Sequence, residues 1–139
     1  MSIENLLAEI IDEYDHKKVD TLFKKLSRSW VFFFFFEQKG KNTSLGTGNA
    51  TNVLQIDKEN PINIPIIENK EGCFGVIYTN SDLALRSAEF QCKIGKLKGI
   101  DAFEFFLDIE KLDSVFIQGE AGNILPRRKD LEKYVANYA

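Results

Sequence analysis

The chain offers few groups that could do chemistry. His16 is its only histidine, and Cys73 and Cys92 are its only cysteines. An imidazole can serve as a general base or a metal ligand, and a thiolate can serve as a nucleophile. The spacing supports neither use. A zinc site needs four ligands, and one histidine with two cysteines leaves acids to complete the set. No C-x-x-C pair is present. A Cys–His pair formed in space stays open, but no sequence feature supports one. His16 lies in the charged run Asp15-His16-Lys17-Lys18 and reads as a solvated surface residue. The two cysteines read as free, buried thiols.

Gly40-Lys41 and Gly46-Thr47-Gly48 invite a phosphate-loop reading. A P-loop requires Gly, four residues, then Gly-Lys-Ser/Thr, and a dinucleotide fold requires a third glycine opening a helix. Both patterns fail, so the stretch reads as a flexible loop. Glu9, Asp12 and Glu13 are spread over a helix face, and no two carboxylates pair for acid–base work. Arg127-Arg128-Lys129 opens a helix, the wrong end for the helix dipole. Salt bridging to an acidic neighbour is the preferred account, with a phosphate or acidic-partner contact as the sharper one. No catalytic residue, metal ligand or cofactor is assigned, and the chain is read as not an enzyme.

Composition narrows the classes further. The chain has 139 residues, 44% of them hydrophobic, and a formal net charge of -3. One domain over residues 1–139 with a real core is expected. A nucleic-acid binder usually shows a strongly basic face, and the overall balance argues against one. Met1-Ser2-Ile3-Glu4-Asn5 lacks a basic segment followed by an apolar core, so no signal peptide is expected. No apolar run reaches the roughly 20 residues needed to span a bilayer. A cytoplasmic protein, without nucleic acid or membrane as partner, is the expectation.

The elements that must position any site centre on Trp30-Val31-Phe32-Phe33-Phe34-Phe35-Phe36. Side chains of a strand alternate between faces, and both faces are apolar here. An inner strand covered on both sides is expected, with Phe32 to Phe35 almost wholly buried. Before it, Ile3, Leu6, Leu7, Ile10, Ile11 and Tyr14 fall at helical spacing, with Ser2 as N-cap. A second stripe at Val19, Leu22, Phe23 and Leu26 is out of phase with the first, so the helix breaks near Asp15. After it, residues 37–52 read as a loop and Val53 to Ile56 as a weak strand. Ile62 to Ile67 reads as an edge strand or bulge because Pro65 lacks an amide donor. A turn at Gly72 leads into a strand from Cys73 to Thr79. Asn80-Ser81-Asp82 opens a helix, Gln91 to Gly99 reads as irregular, and Asp101 to Glu104 has a capping-box spacing. A strand at Val115-Phe116-Ile117 and a last helical stripe at Leu131, Tyr134, Val135 and Tyr138 complete the chain. The expected fold is α/β, an α+β sandwich with a mixed four- to five-stranded sheet and helices packed on it.

Ile3-Glu4-Asn5-Leu6-Leu7, Phe23 to Leu26, Ile64-Pro65-Ile66, Gly72, Gly75-Val76-Ile77-Tyr78-Thr79-Asn80 and Gly99-Ile100-Asp101-Ala102-Phe103, in this order, resemble the N-terminal domain of the SseB family of bacterial proteins. The resemblance covers nearly the whole chain. The family tends to show Asn-Pro-Gly after its last strand, where this chain reads Gln118-Gly119-Glu120. It implies a cytoplasmic bacterial module of poorly defined function with no established catalytic residues.

The leading functional expectation is a non-enzymatic protein-binding module, such as a small immunity or inhibitor protein that masks a toxin. Two alternatives stay open: a small-ligand-binding or enzymatic domain using loops at the sheet edge, and a structural homodimer subunit. Ligands of open α/β sheets tend to lie beyond the carboxyl ends of the strands. If the strands at Trp30–Phe36, Cys73–Thr79 and Ser114–Gln118 run parallel, the loops after them share one edge. That edge carries the expected partner-binding residues Glu37, Asn49, Asn80, Ser81, Asp82, Glu120 and Asn123, an acidic rim suited to a basic protein surface. For Asn80, Ser81 and Asp82, simple helix capping is the preferred account.

Overall fold

The computed structural model describes residues 2–37, 53–55, 62–87 and 93–138. Two helices open the chain, α1 (Ile3–Asp12) and α2 (His16–Arg28). Ser2 caps α1 by accepting the Asn5 amide at 3.1 Å, and Asp15 caps α2 by accepting the Lys17 amide at 2.9 Å. The break expected near Asp15 is therefore a helix end followed at once by a new N-cap. Ser29 then leads into β1 (Trp30–Glu37).

The remaining elements are β2 (Val53–Gln55), β3 (Ile62–Asn63), β4 (Ile67–Asn69), β5 (Gly72–Tyr78), α3 (Ser81–Ser87), β6 (Lys93–Lys98), α4 (Gly99–Leu107), β7 (Ser114–Gly119), β8 (Gly122–Ile124) and α5 (Arg128–Tyr138). All described strands join one mixed sheet, ordered β2-β6-β1-β5-β7-β8, with β3 pairing β1 and β4 pairing β5. This is the α+β architecture expected, with a wider sheet. Pro65 falls between β3 and β4, which pair different neighbours.

One expectation fails at 91–99. Residues Lys93 to Lys98 are not irregular but form β6, antiparallel to β1 from Trp30↔Lys98 to Phe35↔Lys93. Local propensity of Lys-Ile-Gly-Lys-Leu-Lys is poor for a strand, and tertiary pairing overrides it. Gly95 sits directly opposite Phe33, so a small residue faces a bulky one. The capping box at Asp101 also fails, because α4 begins at Gly99 and Lys98 caps it without a side-chain bond. Gly99 is required there. A Cβ on it would fall 1.9 Å from the Leu26 carbonyl oxygen at the end of α2.

The two faces of β1 differ. Val31, Phe33 and Phe35 are buried in a cluster with Leu6, Leu7, Leu22, Phe23, Phe103, Phe106 and Leu131 of α1, α2, α4 and α5. Trp30, Phe32, Phe34 and Phe36 are only half-buried. The inner-strand expectation holds, whereas near-complete burial of Phe32 and Phe34 does not. Their face carries α3, which touches β1 and β5, and aromatic pairs such as Phe34–Tyr78 at 5.2 Å between ring centroids. Lys96 and Lys98 each place Nζ 4.5 Å from the centroid of Trp30, a cation–π arrangement.

Strand direction corrects the assumption behind the expected rim. β5 and β7 are parallel, but β1 runs antiparallel to β5 and to β6. The reason is one of parity. α1 starts beside the carboxyl ends of β5 and β7, where Glu4 meets Thr79 and Glu120. α2 packs against α1 and returns the chain to that same end, where Gly99 donates its amide to the Ser29 carbonyl at 2.8 Å. β1 therefore begins at the end where β5, β6 and β7 finish, and Glu37 leaves at the opposite end of the sheet.

Candidate functional site

The carboxyl ends of β5 and β7 do come together, as expected, and a carboxylate from the first turn of α1 joins them. The hydroxyl of buried Thr79 donates to Glu4 Oε2 in a short hydrogen bond. Asn80 Nδ2 donates to the same oxygen at 3.1 Å, and the Glu120 amide donates to Glu4 Oε1 at 2.9 Å. Burial pulls the Glu4 carboxyl upward, but these bonds from Thr79, the Glu120 amide and Asn80 outweigh it and hold the group below its ordinary range. Gly119 makes the approach feasible, since a Cβ there would meet Leu7 Cδ2 at 2.3 Å and Glu4 Oε1 at 2.8 Å.

Glu120 turns outward. Its carboxylate pairs with Arg86 of α3 and accepts from Asn80 Nδ2 at 3.3 Å. Asn80 also accepts the Leu83 amide through Oδ1 at 2.8 Å, which makes it the N-cap of α3. Ser81 is half-buried and Asp82 exposed in the first turn of that helix. Asn123 lies on β8, paired with Gln118 in register, and donates Nδ2 to Gln118 Oε1 at 3.2 Å.

The sequence-derived set thus divides. Asn80, Ser81, Asp82, Glu120 and Asn123 share one end of the sheet. Glu37 does not, because β1 is antiparallel, and Asn49 lies outside the described residues. The capping account holds for Asn80 and competes with any binding role for it. Glu120 is partly neutralised by Arg86, so the rim is less acidic than expected. Glu4, Thr79 and Arg86 were not among the partner-binding residues expected from the sequence, and Glu4 and Thr79 entered only through the motifs of the resemblance. An acid in a first helical turn is ordinary, so Glu4 carried no separate signal.

The other candidate groups resolve as follows. His16 is exposed, with Nε2 at 3.6 Å from Asp20 one turn along α2. Cys73 is buried and unbridged, and burial raises its thiol pKa, with Glu68 and Asp113 adding to the rise and Lys111 opposing it. Cys92 lies outside the described residues. Arg128 serves a helix end other than its own. Its guanidinium donates to the carbonyls of Leu107, Ile109 and Leu112 at 2.6, 2.8 and 3.1 Å, where α4 finishes. The oddity of a cation at the start of α5 is thereby explained. The sole ion pair of Arg128 among the described residues is a loose one to Glu132 at 3.8 Å.

Among the described residues, no three His, Cys, Asp or Glu side chains converge as a metal site would require. None of the described helices is long and apolar enough to cross a membrane. Among the described residues, exposed large apolar side chains are few: Ile11, Tyr14, Ile67 and Leu125. Two of these four, Ile11 and Leu125, belong to the margin formed by α1 and β8. Ile11 Cδ1 lies 3.1 Å from where a Cβ on Gly122 would stand, Leu125 directly follows β8, and Tyr14 follows α1. Gly122 itself adopts φ +139°, a backbone conformation that favours glycine. No protein-family model matches the chain, and no match is found among curated proteins or solved structures.

Proposed function

We propose that the chain is a non-enzymatic protein-binding module whose contact surface is the β8 margin. The observation that carries this reading is the exposure of Ile11, which stands against Gly122 of β8, and of Leu125, which directly follows β8, beside a strand that ends the described sheet. β8 pairs only with β7 among the described residues, so its outer backbone groups are open to another chain. An apolar centre with a polar rim is the usual anatomy of a protein interface. Here the rim comprises Asp12, Glu13, Glu120 and Asn123, all exposed. Its charge suits a partner with a basic surface and gives the association a salt dependence.

The narrower form of the proposal is an immunity or inhibitor protein that masks a toxin. It rests on the small, mildly acidic chain and on the SseB-like order of motifs. The test compares proteins captured from the native cell by the unaltered chain and by an Ile11→Asp/Leu125→Asp variant, with Ile67→Asp as control. A partner retained by the control and lost at least tenfold by the double variant is expected. Equal capture by all three would overturn the assignment of this surface. The open edge also favours a second reading, self-pairing of β8 in a homodimer. Light scattering on the purified chain distinguishes it, since the dimer reading requires twice the mass of the monomer and a return to monomer in the double variant.

A further inference from the structure

A groove of about 580 Å³ runs between the start of α1 and the last two turns of α2. Its wall from α2 consists of Thr21, Lys24, Lys25 and Arg28, and its wall from α1 of Ser2 and Ile3. Positions 21, 24, 25 and 28 recur at helical spacing and so share one face of α2. The opposite face, with Leu22, Phe23 and Leu26, is in the core. Three cations therefore stand together in a chain whose net charge is -3, and no acid lines the groove. Among the described residues, Lys24, Lys25 and Arg28 enter no ion pair and no side-chain hydrogen bond.

Helix-dipole compensation accounts for part of this, since Lys25 and Arg28 occupy the last turn of α2. It leaves much of the local charge unbalanced. α1 begins where α2 ends, so their terminal partial charges, about +0.5 and -0.5, offset each other. The carbonyls at the end of α2 are already engaged. Lys24 accepts from the Ser27 hydroxyl at 2.7 Å, Lys25 from the Ser29 hydroxyl at 2.8 Å, and Leu26 from the Ser29 amide at 3.1 Å. What remains is a concave surface with three full positive charges and no counter-charge.

We propose that this groove binds a small molecule carrying two or more phosphate groups. The volume lies within the roughly 300–1,000 Å³ of small-ligand sites. One phosphomonoester carries about -1.5 to -2 charges at neutral pH, fewer than the groove supplies in cations, so a second phosphate is accommodated. Arg28 can grip phosphate oxygens with two parallel N–H bonds, and the lysines add point charges. Ser2 contributes a hydroxyl whose oxygen already accepts the Asn5 amide, which leaves its proton to donate. Thr21 donates to the Lys17 carbonyl at 3.0 Å and is a poor donor to an anion. Ile3 and the lysine stems form an apolar wall for the organic part of the ligand. The groove sits at the opposite end of α1 from Ile11, and only the rim residue Glu120, whose amide bonds Glu4, comes close to it.

The experiment is an amide NMR titration of the full chain with orthophosphate, pyrophosphate and adenosine diphosphate in turn. Saturable shifts at residues 2–5 and 21–29 are expected, tighter for pyrophosphate than for orthophosphate and weakening with added salt. Adenosine diphosphate binding more tightly than pyrophosphate would assign a role to the Ile3 wall, and equal binding would place recognition in the phosphates alone. Lys25→Gln/Arg28→Gln should weaken pyrophosphate binding at least tenfold. Thr21→Glu, which keeps every cation and the end of α2 but adds an acid, should do the same. Lys70→Gln should leave the affinity unchanged. The proposal is overturned by equal shifts at residues 93–98 or 127–129, by unchanged affinity in both groove variants, or by no saturation at millimolar ligand.

Discussion

Glu4 is the residue on which one end of the molecule turns. Its carboxyl is held below the ordinary value of 4.5 by the Thr79 hydroxyl, the Glu120 amide and Asn80, against the upward pull of burial. A carboxyl lowered in the folded state stabilises the fold above its unfolded pKa, and that contribution disappears as pH falls through the folded value. The stability difference between the unaltered chain and Glu4→Gln should therefore be constant above pH 4.5 and shrink on further acidification. Denaturant melts at several pH values measure it, and a gap that widens in acid would contradict the assignment. The surroundings of two single residues were well legible in the sequence. His16 is solvated and Cys73 is a buried thiol, as their surroundings in the chain suggested. Cys73 should accordingly resist alkylation in the folded protein and react once denaturant exposes it. Glu4 was not legible, because its partners arrive from the ends of two distant strands.

At the level of elements, β1 shows the limit of reading periodicity alone. Alternation located the two faces correctly, but apolar character did not reveal which face the helices cover. Phe33→Ala should cost about 3–5 kcal/mol, as for a core phenylalanine. Phe34→Ala should cost distinctly less, because its face is half-buried. Equal losses in chemical denaturation would mean that both faces are packed alike. β6 was missed for the converse reason. Its residues form a strand because β1 pairs with it along its whole length, a cause that lies outside the segment. Arg128 is a third case, a side chain at the start of α5 that satisfies carbonyls at the end of α4. Arg128→Ala should destabilise the fold by about 1.5–3 kcal/mol, the scale of hydrogen bonds to a charged group. Arg128→Lys should recover little of this, since one ammonium cannot match the fork that reaches these carbonyls.

For the molecule as a whole, fold class followed from the order of helical and alternating stretches, while strand direction did not. The assumed parallel β1 placed Glu37 beside Glu120, and the return of the chain through α2 puts them at opposite ends of the sheet. With α1 starting beside the carboxyl ends of β5 and β7, two antiparallel helices oblige β1 to run against both strands, and that starting point is not written in the local sequence. The same arrangement bears on how the chain acquires its structure during synthesis. Glu4 bonds to Thr79 and Glu120 across 75 and 116 residues of sequence. α1 thus leaves the ribosome well ahead of β5 and β7 and waits for both before it can dock. Contacts of such separation form slowly, and until then the apolar stripe of Leu6, Leu7 and Ile10 is without its final cover. Nascent chains halted before Ser114 should show unprotected amides throughout α1, and chains extended past Ile124 should protect them. Protection of α1 in the shorter chains would mean that α2 alone suffices to hold it.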